Sequence, residues 1–347
     1  MTKKTSTTED IVDFGYDNTL DTIDCKVSEP FINEVRIFND KYSNSSLSDK
    51  LRIGTYNVWG IEKFKYSFLE KRLPHIINTL LKNDVEVWCL QEVSKQVLTE
   101  FESNPNITQK YAFSCGVKDI DWDYSGVVTL ILTQILPNKG EIFKYRLIGE
   151  QNYHSTMIQL GQITIVTVHL QAGSSSSAGV AGNAEKYSKC RSVQIKQLFA
   201  EINKQSVTDK LIFLGDMNIH MDGDTDKWPE LIEFQKQNLK DAWRIIKPYQ
   251  TGFTEDTKKN SMRWNIKQKE KRARYDIITY KGDDITIGNI NVIGNKKVFD
   301  IEISEFEPYY KKLGLTEEML VKNSKGKLDW FGSDHFGLIA DLYLDFN

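Results

Sequence analysis

Short runs of apolar residues, alternating or continuous, predict six β-strands after residue 50. Each run is rich in β-branched or aromatic residues and is bounded by polar or glycine-containing segments, as strands usually are. The runs are residues 52–57, 85–90, 163–169, 211–214, 275–280 and 336–344. The same rules find little regular pattern before residue 51.

Two further segments carry apolar residues at the three- and four-residue spacing of an amphipathic helix. The first follows the first strand and the second follows the third strand. Their apolar positions are Leu69, Leu73, Ile76, Ile77 and Leu80, then Ile195, Leu198, Phe199 and Ile202. Alternation of strand, helix and strand predicts a mixed α/β (α+β) sandwich of about one large domain. No internal repeat is evident, although two βα halves would fit a pseudo-duplicated sandwich.

The first fifty residues differ from the rest of the chain. They are rich in Ser, Thr and Asp, with one amphipathic piece around Phe31, Ile32, Val35 and Ile37. Such a composition buries too little apolar surface to fold alone. We therefore expect residues 1–50 to be a largely mobile extension, docked at most by those apolar residues, and residues 51–347 to form the folded domain.

Composition adds few constraints. The 347 residues can bury a large core, and 45 basic against 48 acidic residues give a net charge of −3, which carries no global signal for nucleic acid. Four scattered cysteines without a C-x-x-C pair argue against a zinc site or a disulfide framework. No apolar leader or membrane-length stretch is visible. We expect an intracellular protein, nuclear or cytoplasmic and not secreted; its oligomeric state cannot be predicted.

Polar side chains with catalytic chemistry stand near the ends of the predicted strands. One Asp, Asn or His in such a place is more often a turn, cap or structural residue. Their recurrence at every strand end indicates a cleft that several loops share. The set is Asn57, Glu92, His169, Asp216, Asn218, Asp276, Asp334 and His335. Carboxylates, amides and imidazoles in one cleft favour metal-assisted cleavage of a phosphodiester.

Other hydrolase signatures do not match. Ser333, Asp334 and His335 are adjacent, and neighbours in an extended segment point to opposite sides, so they cannot form a serine-hydrolase triad. The sequence has no G-x-S-x-G elbow, no P-loop and no H-E-x-x-H motif. The metal-assisted interpretation is therefore retained.

Six short motifs occur in the order and approximate spacing of the endonuclease/exonuclease/phosphatase superfamily. They are Tyr56-Asn57-Val58, Gln91-Glu92-Val93, His169-Leu170, Gly215-Asp216-x-Asn218, Arg274-x-Asp276 and Ser333-Asp334-His335. The chain resembles this superfamily, which includes DNase I, exonuclease III, sphingomyelinases and inositol-phosphate phosphatases, over roughly residues 51–347. The resemblance implies a DNase I-like, four-layer α/β/β/α catalytic domain with a Mg²⁺-dependent site, where Mn²⁺ could substitute.

The resemblance also implies which residues serve the metal. Glu92 would bind the ion directly, and Asn57 and Asp334 would support its hydration shell. This division agrees with the chemistry of Mg²⁺, which prefers hard oxygen ligands and keeps several of its waters. One direct carboxylate with outer-sphere partners is therefore sufficient.

The remaining residues would act on water and phosphate. By the same resemblance, Asp216 would orient and deprotonate the attacking water, and Asn218 would hold that water or a phosphate oxygen. His169 and His335 would hydrogen-bond the non-bridging oxygens as charge builds up. Asp276 would orient His335 and favour its protonated form.

Within the superfamily, part of the sequence resembles the 5′-tyrosyl-DNA phosphodiesterases. The similar parts are the G-F-T-E-D-T segment of residues 252–257, Asn260-Ser261 and Arg274-x-Asp276, with Arg191 in the second predicted helix. Candidate substrate-binding residues are Asn260, Trp264, Arg274 and Arg191. The expected partners are DNA 5′ ends or protein–DNA adducts.

Other features leave the substrate open. Trp59 stands where those enzymes carry Asp, and Glu255 replaces a tryptophan of the T-x-D-T segment, whereas residues 57–60 and 169–172 look like neutral sphingomyelinases. Alternatives are therefore a neutral sphingomyelinase-like activity, a phosphoinositide phosphatase, or another DNA endonuclease or exonuclease. A catalytically dead scaffold is least favoured, because the acidic ligand and the terminal histidine are both present.

Two loops bear on this choice. Residues 258–274 hold eight basic residues with Trp264 among them and Glu270 as their only acid. Such a run could track a nucleic-acid backbone and stack a base, bind an anionic lipid headgroup, or be a solvated face. The Ser-, Gly- and Ala-rich residues 173–182 are either a flexible lid or a disordered insertion.

Overall fold

A computed structural model describes residues 31–37, 48–61, 65–119, 125–136, 141–147, 153–173, 181–204 and 210–345. Most of the predicted mobile extension, residues 1–30 and 38–47, lies outside the described residues, as do residues 174–180 of the predicted lid. From the extension, residues 31–37 are described, and they form a strand.

All six predicted strands and both predicted helices are present. The strands are β1 Phe31–Ile37, β2 Lys50–Asn57, β3 Val87–Val93, β4 Tyr111–Phe113, β5 Gly126–Leu132, β6 Glu141–Leu147, β7 Tyr153–Leu160, β8 Ile163–His169, β9 Lys210–Asp216, β10 Lys240–Asp241, β11 Glu255–Asp256, β12 Arg272–Ala273, β13 Asp276–Lys281, β14 Ile285–Ile293, β15 Phe299–Ile301, β16 Leu328–Trp330 and β17 Gly337–Leu344. The helices are α1 Leu69–Lys82, α2 Lys95–Ser103, α3 Pro105–Lys110, α4 Ala181–Lys204, α5 Glu230–Gln235, α6 Ala242–Ile246, α7 Ser261–Lys267 and α8 Ile303–Lys312.

Two large sheets lie face to face. One has the strand order β1-β6-β7-β8-β9-β13-β10 and the other the order β14-β17-β2-β3-β5-β4. An apolar core between them takes Ile53 from one sheet and Ile165 from the other. Helix α1 covers the outer face of the second sheet, and α4 covers the outer face of the first. These layers confirm the predicted α/β/β/α sandwich.

Each sheet contains one parallel βαβ unit. Strands β2 and β3 pair in parallel around α1, and β8 and β9 pair in parallel around α4. The two units end alike, because Val58 N donates to Gln91 O at 3.0 Å and Leu170 N donates to Asp216 O at 3.0 Å. Asn57 and His169 therefore occupy equivalent positions at the ends of β2 and β8. This pairing is consistent with a pseudo-duplicated sandwich.

Two smaller features complete the frame. Strand β1 adds to the edge of the first sheet by antiparallel pairing with β6, with Val35 opposite Phe143. Strands β11 and β12 form a separate two-stranded ribbon, with Glu255 opposite Ala273. The basic run lies on this ribbon, on helix α7 and on the segments that join them, and α7 places Arg263 beside Asp334.

Candidate active site

The side chain of Asn57 joins the two sheets. Its Nδ2 donates to Glu92 Oε1 at 3.1 Å and to Asp216 Oδ2 at 2.9 Å, while its Oδ1 accepts from Trp59 N at 3.0 Å. Asn57 is fully buried. Because Glu92 lies in β3 and Asp216 ends β9, this one amide fixes the distance between carboxylates from opposite sheets.

Glu92 has an unusual backbone and an unusual carboxylate. Its φ of 53° lies in the left-handed region, next to the irregularity that breaks the pairing of β3 with β5, and non-glycine residues tolerate this mainly at functional sites. Its Oε2 is buried without a hydrogen-bond partner among the described residues. Burial, followed by the negative charge of Asp334, raises the pKa of Glu92 to about 7.

These properties fit a hard divalent cation. An unpartnered carboxylate oxygen beside a second acidic group is destabilised unless a positive charge approaches it. Glu92 offers that oxygen, and both Asn57 and Asp334 stand close enough to act on it. A metal held by Glu92, with Asn57 and Asp334 around it, is thus compatible with the donor set predicted from the sequence.

A second group of possible ligands lies next to the first. One ligand atom each from Asp216, Asp276 and His335 lies within 4.8 Å of the others. However, His335 Nδ1 already pairs with Asp276 Oδ2 at 2.9 Å. We therefore interpret these three residues as a hydrogen-bonded relay, and Glu92 stays the metal ligand predicted from the sequence.

The relay keeps His335 charged. Burial alone would lower the pKa of His335, but the negative charges of Asp276 and Asp216 raise it well above its ordinary value. Burial raises the pKa of Asp276 to about 6, although His335 opposes that change. Two backbone N–H groups, those of Tyr275 and Asp276, donate to Thr254 Oγ1 at 3.0 and 3.1 Å and hold the start of β13 in place.

His169 differs from His335. Its Nε2 lies 3.7 Å from Asp216 Oδ2 and 3.9 Å from Glu92 Oε1. Burial lowers the pKa of His169, and the attraction of Asp216 does not offset this. The site therefore holds one neutral imidazole and one imidazolium, which gives it a neutral and a cationic donor on the two sides of Asp216.

Asp216 is held as a carboxylate. Its Oδ1 accepts from Asn218 N at 2.9 Å, and Asn218 in turn donates its Nδ2 to Leu170 O at 3.0 Å. Burial would raise the pKa of Asp216, but the charge of His335 and the hydrogen bonds from Asn57 and Asn218 lower it below its ordinary value. Asn218 has a φ of 50°, which turns the chain sharply after β9.

The loop of Asp334 is tied on three sides. Ser333 Oγ donates to Asn57 O at 2.7 Å, and Asn260 Nδ2 donates to Ser333 O at 2.8 Å. Arg263 Nη1 donates to Asp334 Oδ2 at 3.0 Å. The Ser333 hydroxyl, which was excluded as a nucleophile, therefore fixes the loop to the end of β2.

Arg72 is a structural residue that the sequence analysis missed. Its guanidinium is fully buried and donates to the carbonyls of Val58, Trp59 and Gly332 at 3.0, 2.6 and 2.7 Å. It thereby joins the loop after Asn57 to the loop before Asp334. Its position in the sequence could have indicated its burial, because Arg72 lies three residues after Leu69, on the apolar face of α1.

Arg191 plays the matching part in the other half. It is 1% exposed, donates to the carbonyls of Gln171 and Gly173 at 3.0 and 2.6 Å, and pairs with Glu230 at 2.6 Å. It therefore holds the loop that follows His169. Its guanidinium is used for contacts inside the protein, and the expected contact of Arg191 with substrate stays a prediction.

The other candidate substrate residues are also mostly enclosed. Arg274 is 1% exposed and pairs with Asp222 and Asp241 at 2.8 and 2.7 Å. Asn260 is fully buried. The expected substrate contacts of these two residues stay predictions. Trp264 remains partly exposed on α7, so its predicted role in substrate binding stays a prediction.

Most of the basic run is paired with carboxylates of the same protein. Five of its basic residues have carboxylate partners; these are Lys258, Arg263, Lys271, Arg272 and Arg274. In the described part of the chain, Lys259 and Lys269 have no carboxylate partner within salt-bridge distance. The positive surface that could meet a nucleic acid is therefore smaller than the sequence indicates. Among the described helices, none is long and apolar enough to cross a membrane.

Comparisons with known proteins agree with this geometry. A family model described as Endonuclease/Exonuclease/phosphatase family matches residues 54–289. TDP2 of D. rerio in complex with a single-strand DNA product has a TM-score of 0.54 at 18% identity, covering 85% of this chain and 99% of that one. Truncated Caenorhabditis elegans TDP2 has a TM-score of 0.55 at 16% identity, covering 85% and 97%.

A third solved structure is similar to the same degree. Beta toxin of Staphylococcus aureus has a TM-score of 0.55 at 16% identity, covering 84% of this chain and 99% of that one. At such identities the likeness concerns the fold alone. A search of the curated proteins finds no match for this sequence.

Proposed function

Because the chain belongs to the endonuclease/exonuclease/phosphatase family, we propose that it is a metal-dependent phosphodiesterase acting on DNA 5′ ends that carry a phosphotyrosyl adduct. The observation that carries the proposal is the Asn57 amide, which holds the Glu92 and Asp216 carboxylates side by side. One carboxylate is thereby available to a metal and the other to a water molecule.

The metal would supply charge. A divalent cation on Glu92, with Asn57 and Asp334 beside it, would act as a Lewis acid on the phosphate. The imidazolium of His335 would donate to a non-bridging oxygen and offset the negative charge that develops there. His169, which is neutral and whose Nε2 lies 3.7 Å from Asp216 Oδ2, would donate a second hydrogen bond to the phosphate.

Asp216 would orient the attacking water. Its lowered pKa keeps it ionised at neutral pH, so it can accept a hydrogen bond from the water at all times. A low pKa also makes it a weak base, and its main contribution would therefore be orientation together with the first transfer of the proton. Asn218 would hold the water or a phosphate oxygen from the turn after β9.

Three observations support DNA as the substrate. Two similar folds are those of TDP2, one of them with a single-strand DNA product. The T-x-D-T and Asn260-Ser261 segments resemble the 5′-tyrosyl-DNA phosphodiesterases, and they lie against the Ser333-Asp334-His335 loop. Lys259 and Lys269, which have no carboxylate partner within salt-bridge distance among the described residues, offer positive charge that suits a phosphate backbone.

A second candidate is a neutral sphingomyelinase-like activity. Residues 57–60 and 169–172 favour it, and Trp59, where an acidic residue would be expected for DNA enzymes, is buried against Arg72 at 5.0 Å. Fold similarity does not decide between the two candidates, because at these identities it concerns the fold alone. Only the chemistry of the substrate separates them.

A substrate panel with Mg²⁺ tests the proposal. It contains a 5′-phosphotyrosyl oligonucleotide, an abasic duplex, a plain duplex, sphingomyelin and an inositol polyphosphate, with the Asp216→Asn protein as the inactive control. We expect the tyrosyl oligonucleotide to be cleaved fastest and EDTA to stop the reaction. Faster turnover of sphingomyelin would overturn the substrate assignment, and full turnover in excess EDTA would overturn the metal.

A further inference from the structure

A chain of alternating charges leads from the basic run to the candidate metal site. Lys271 Nζ lies 2.9 Å from Glu255 Oε2, and Glu255 Oε1 lies 2.7 Å from Arg263 Nε. Arg263 Nη1 then donates to Asp334 Oδ2 at 3.0 Å. Strand β11 supplies Glu255, the residue directly before β12 is Lys271, and α7 supplies Arg263.

Glu255 is the anchor of this chain. It is 1% exposed, and although burial would raise its pKa, the cations Arg263 and Lys271 lower it to about 2. A buried carboxylate with two cationic partners is stable only while both remain in place. Glu255, which stands where a tryptophan was expected, therefore fixes the position of the Arg263 guanidinium.

Arg263 differs from the other arginines near the site. Arg72, Arg191 and Arg274 are at most 1% exposed and bind carbonyls or carboxylates inside the protein. The Arg263 side chain is 22% exposed while it contacts Asp334. It therefore combines contact with a candidate metal-site residue and partial exposure to solvent.

Charge at this position acts on both metal and phosphate. Arg263 and a cation near Glu92 and Asp334 would share one carboxylate, and like charges that close repel each other strongly in a partly buried site. A phosphate would be attracted by both. In sites with two metal ions, the second ion clamps the phosphate oxygens, and a guanidinium can bind them with its planar fork while never losing its proton.

We propose that Arg263 is a fixed second cation of the centre, which binds a phosphate oxygen of the substrate and, by repulsion, limits the affinity of the empty site for a divalent ion. This rests on the proposed function as far as the phosphate is concerned. The proposal gives a role in phosphate and metal binding to a side chain that lies outside the six family motifs.

The test compares Arg263→Gln with Arg52→Gln. Arg52 is a matched control, because it forms the same kind of pair with Asp341, at 2.7 Å, from the opposite end of β2. Mn²⁺ binding to the substrate-free proteins is measured by calorimetry, and kcat/KM is measured at saturating metal. Thermal melts confirm that each variant is folded.

We expect the two readouts to move in opposite directions for Arg263→Gln. Mn²⁺ should bind about tenfold more tightly or better, because a nearby like charge is gone. At the same time kcat/KM should fall about 100-fold, as when one donor to a developing oxyanion is removed. Arg263→Lys keeps the charge, so its Mn²⁺ affinity should stay near that of the wild type. Arg52→Gln should change neither quantity.

Glu255→Gln gives an independent check with the opposite sign. Removing the anion behind Arg263 exposes the full positive charge of the guanidinium, so Mn²⁺ should bind more weakly. A purely structural role predicts weaker Mn²⁺ binding in both Arg263→Gln and Glu255→Gln, and that result would overturn the proposal. So would an unchanged kcat/KM for Arg263→Gln.

The two proposals can fail separately. If the wild-type protein cleaves nothing in the panel, the proposed function is wrong, yet the opposite Mn²⁺ responses of Arg263→Gln and Glu255→Gln still decide whether Arg263 acts as a repelling cation. If the wild type is active and Arg263→Gln retains its full rate, the phosphate role of Arg263 fails alone.

Discussion

Replacing Glu92 with Gln should stabilise the metal-free protein while removing its ability to bind metal. The Glu92 side chain is 16% exposed, and its Oε2 has no hydrogen-bond partner among the described residues. Burial and the charge of Asp334 raise its pKa to about 7. The ionised carboxylate is thus unfavourable in the folded protein until a cation compensates it, and glutamine has the same shape without the charge.

The size and pH range follow from the pKa. The ordinary value is 4.5, and the folded value is about 7. A carboxyl group whose pKa is raised on folding contributes stability that is fully present below pH 4.5 and is lost as the pH rises through 7. At about 1.4 kcal/mol for each pKa unit, the ionised form costs up to about 3–4 kcal/mol well above pH 7.

The assay is chemical denaturation in EDTA at pH 5 and pH 8. Glu92→Gln should unfold at higher denaturant concentration than the wild type at pH 8, and the two should be nearly equal at pH 5. Added Mg²⁺ should stabilise the wild type, by about 2.7 kcal/mol at a hundred times the dissociation constant, and leave the variant unchanged. Glu100→Gln, at an exposed position of α2, is the control and should change neither curve.

Two results would refute this reasoning. A Glu92→Gln protein less stable than the wild type at pH 8 would mean that the ionised carboxylate is already compensated in the folded state. Equal stabilisation of both proteins by Mg²⁺ would move the direct ligand elsewhere, with Asp216, Asp276 and His335 as the next candidates.

Three further predictions concern catalysis and substrate. Asp216→Asn should lower kcat by roughly 10²–10⁴-fold, and Asn218→Ala should lower it by less. If the Asp216→Asn protein kept more than about a tenth of the wild-type rate, below even the low end of that range, the role assigned to Asp216 would be wrong. Asp276→Asn should lower the pKa of His335, which Asp276 raises. Because the protonated form is lost as the pH rises, the alkaline limb of the kcat/KM profile should move to lower pH. An unmoved limb would argue against the imidazolium. Replacing Lys259 and Lys269 together by Gln should lower the log–log salt slope on a single-stranded substrate by about 1.4, at about 0.7 for each phosphate contact, without changing cleavage of a nitrophenyl ester. An unchanged slope would make these lysines a solvated face.

Strand ends explain why the centre of the site could be predicted. Apolar runs define where the strands end, and a polar residue at a strand end marks the point where the chain leaves the apolar core. Asn57, Glu92 and Asp216 were each found in this way, and their hydrogen bonds show that they meet. The meeting itself depends on two parallel strand pairs facing each other, which follows from the βαβ order along the chain.

The arginines could not be placed in the same way. Arg191 and Arg274 were expected at the substrate, yet both are buried against acidic residues far away in sequence. A guanidinium is equally suited to a phosphate and to a carboxylate, so its residue type does not reveal its partner. Lys271 was counted with the free charge of the basic run for the same reason, although Glu255 neutralises it. Only the three-dimensional arrangement decides which positive charges remain available.

The two halves of the sandwich suggest why chemistry arises at their junction. The βαβ units are built alike, and an arginine from the helix of each unit, Arg72 or Arg191, holds the loop that follows its first strand. What differs is the residue at the strand end, an amide at Asn57 and an imidazole at His169. On the paired strands, the equivalent residues are Gln91, which donates to Cys89 O, and the catalytic candidate Asp216. The paired frame therefore provides two facing strand ends of fixed geometry. In the proposed function, the difference between them would give a metal side at Glu92 and a water side at Asp216.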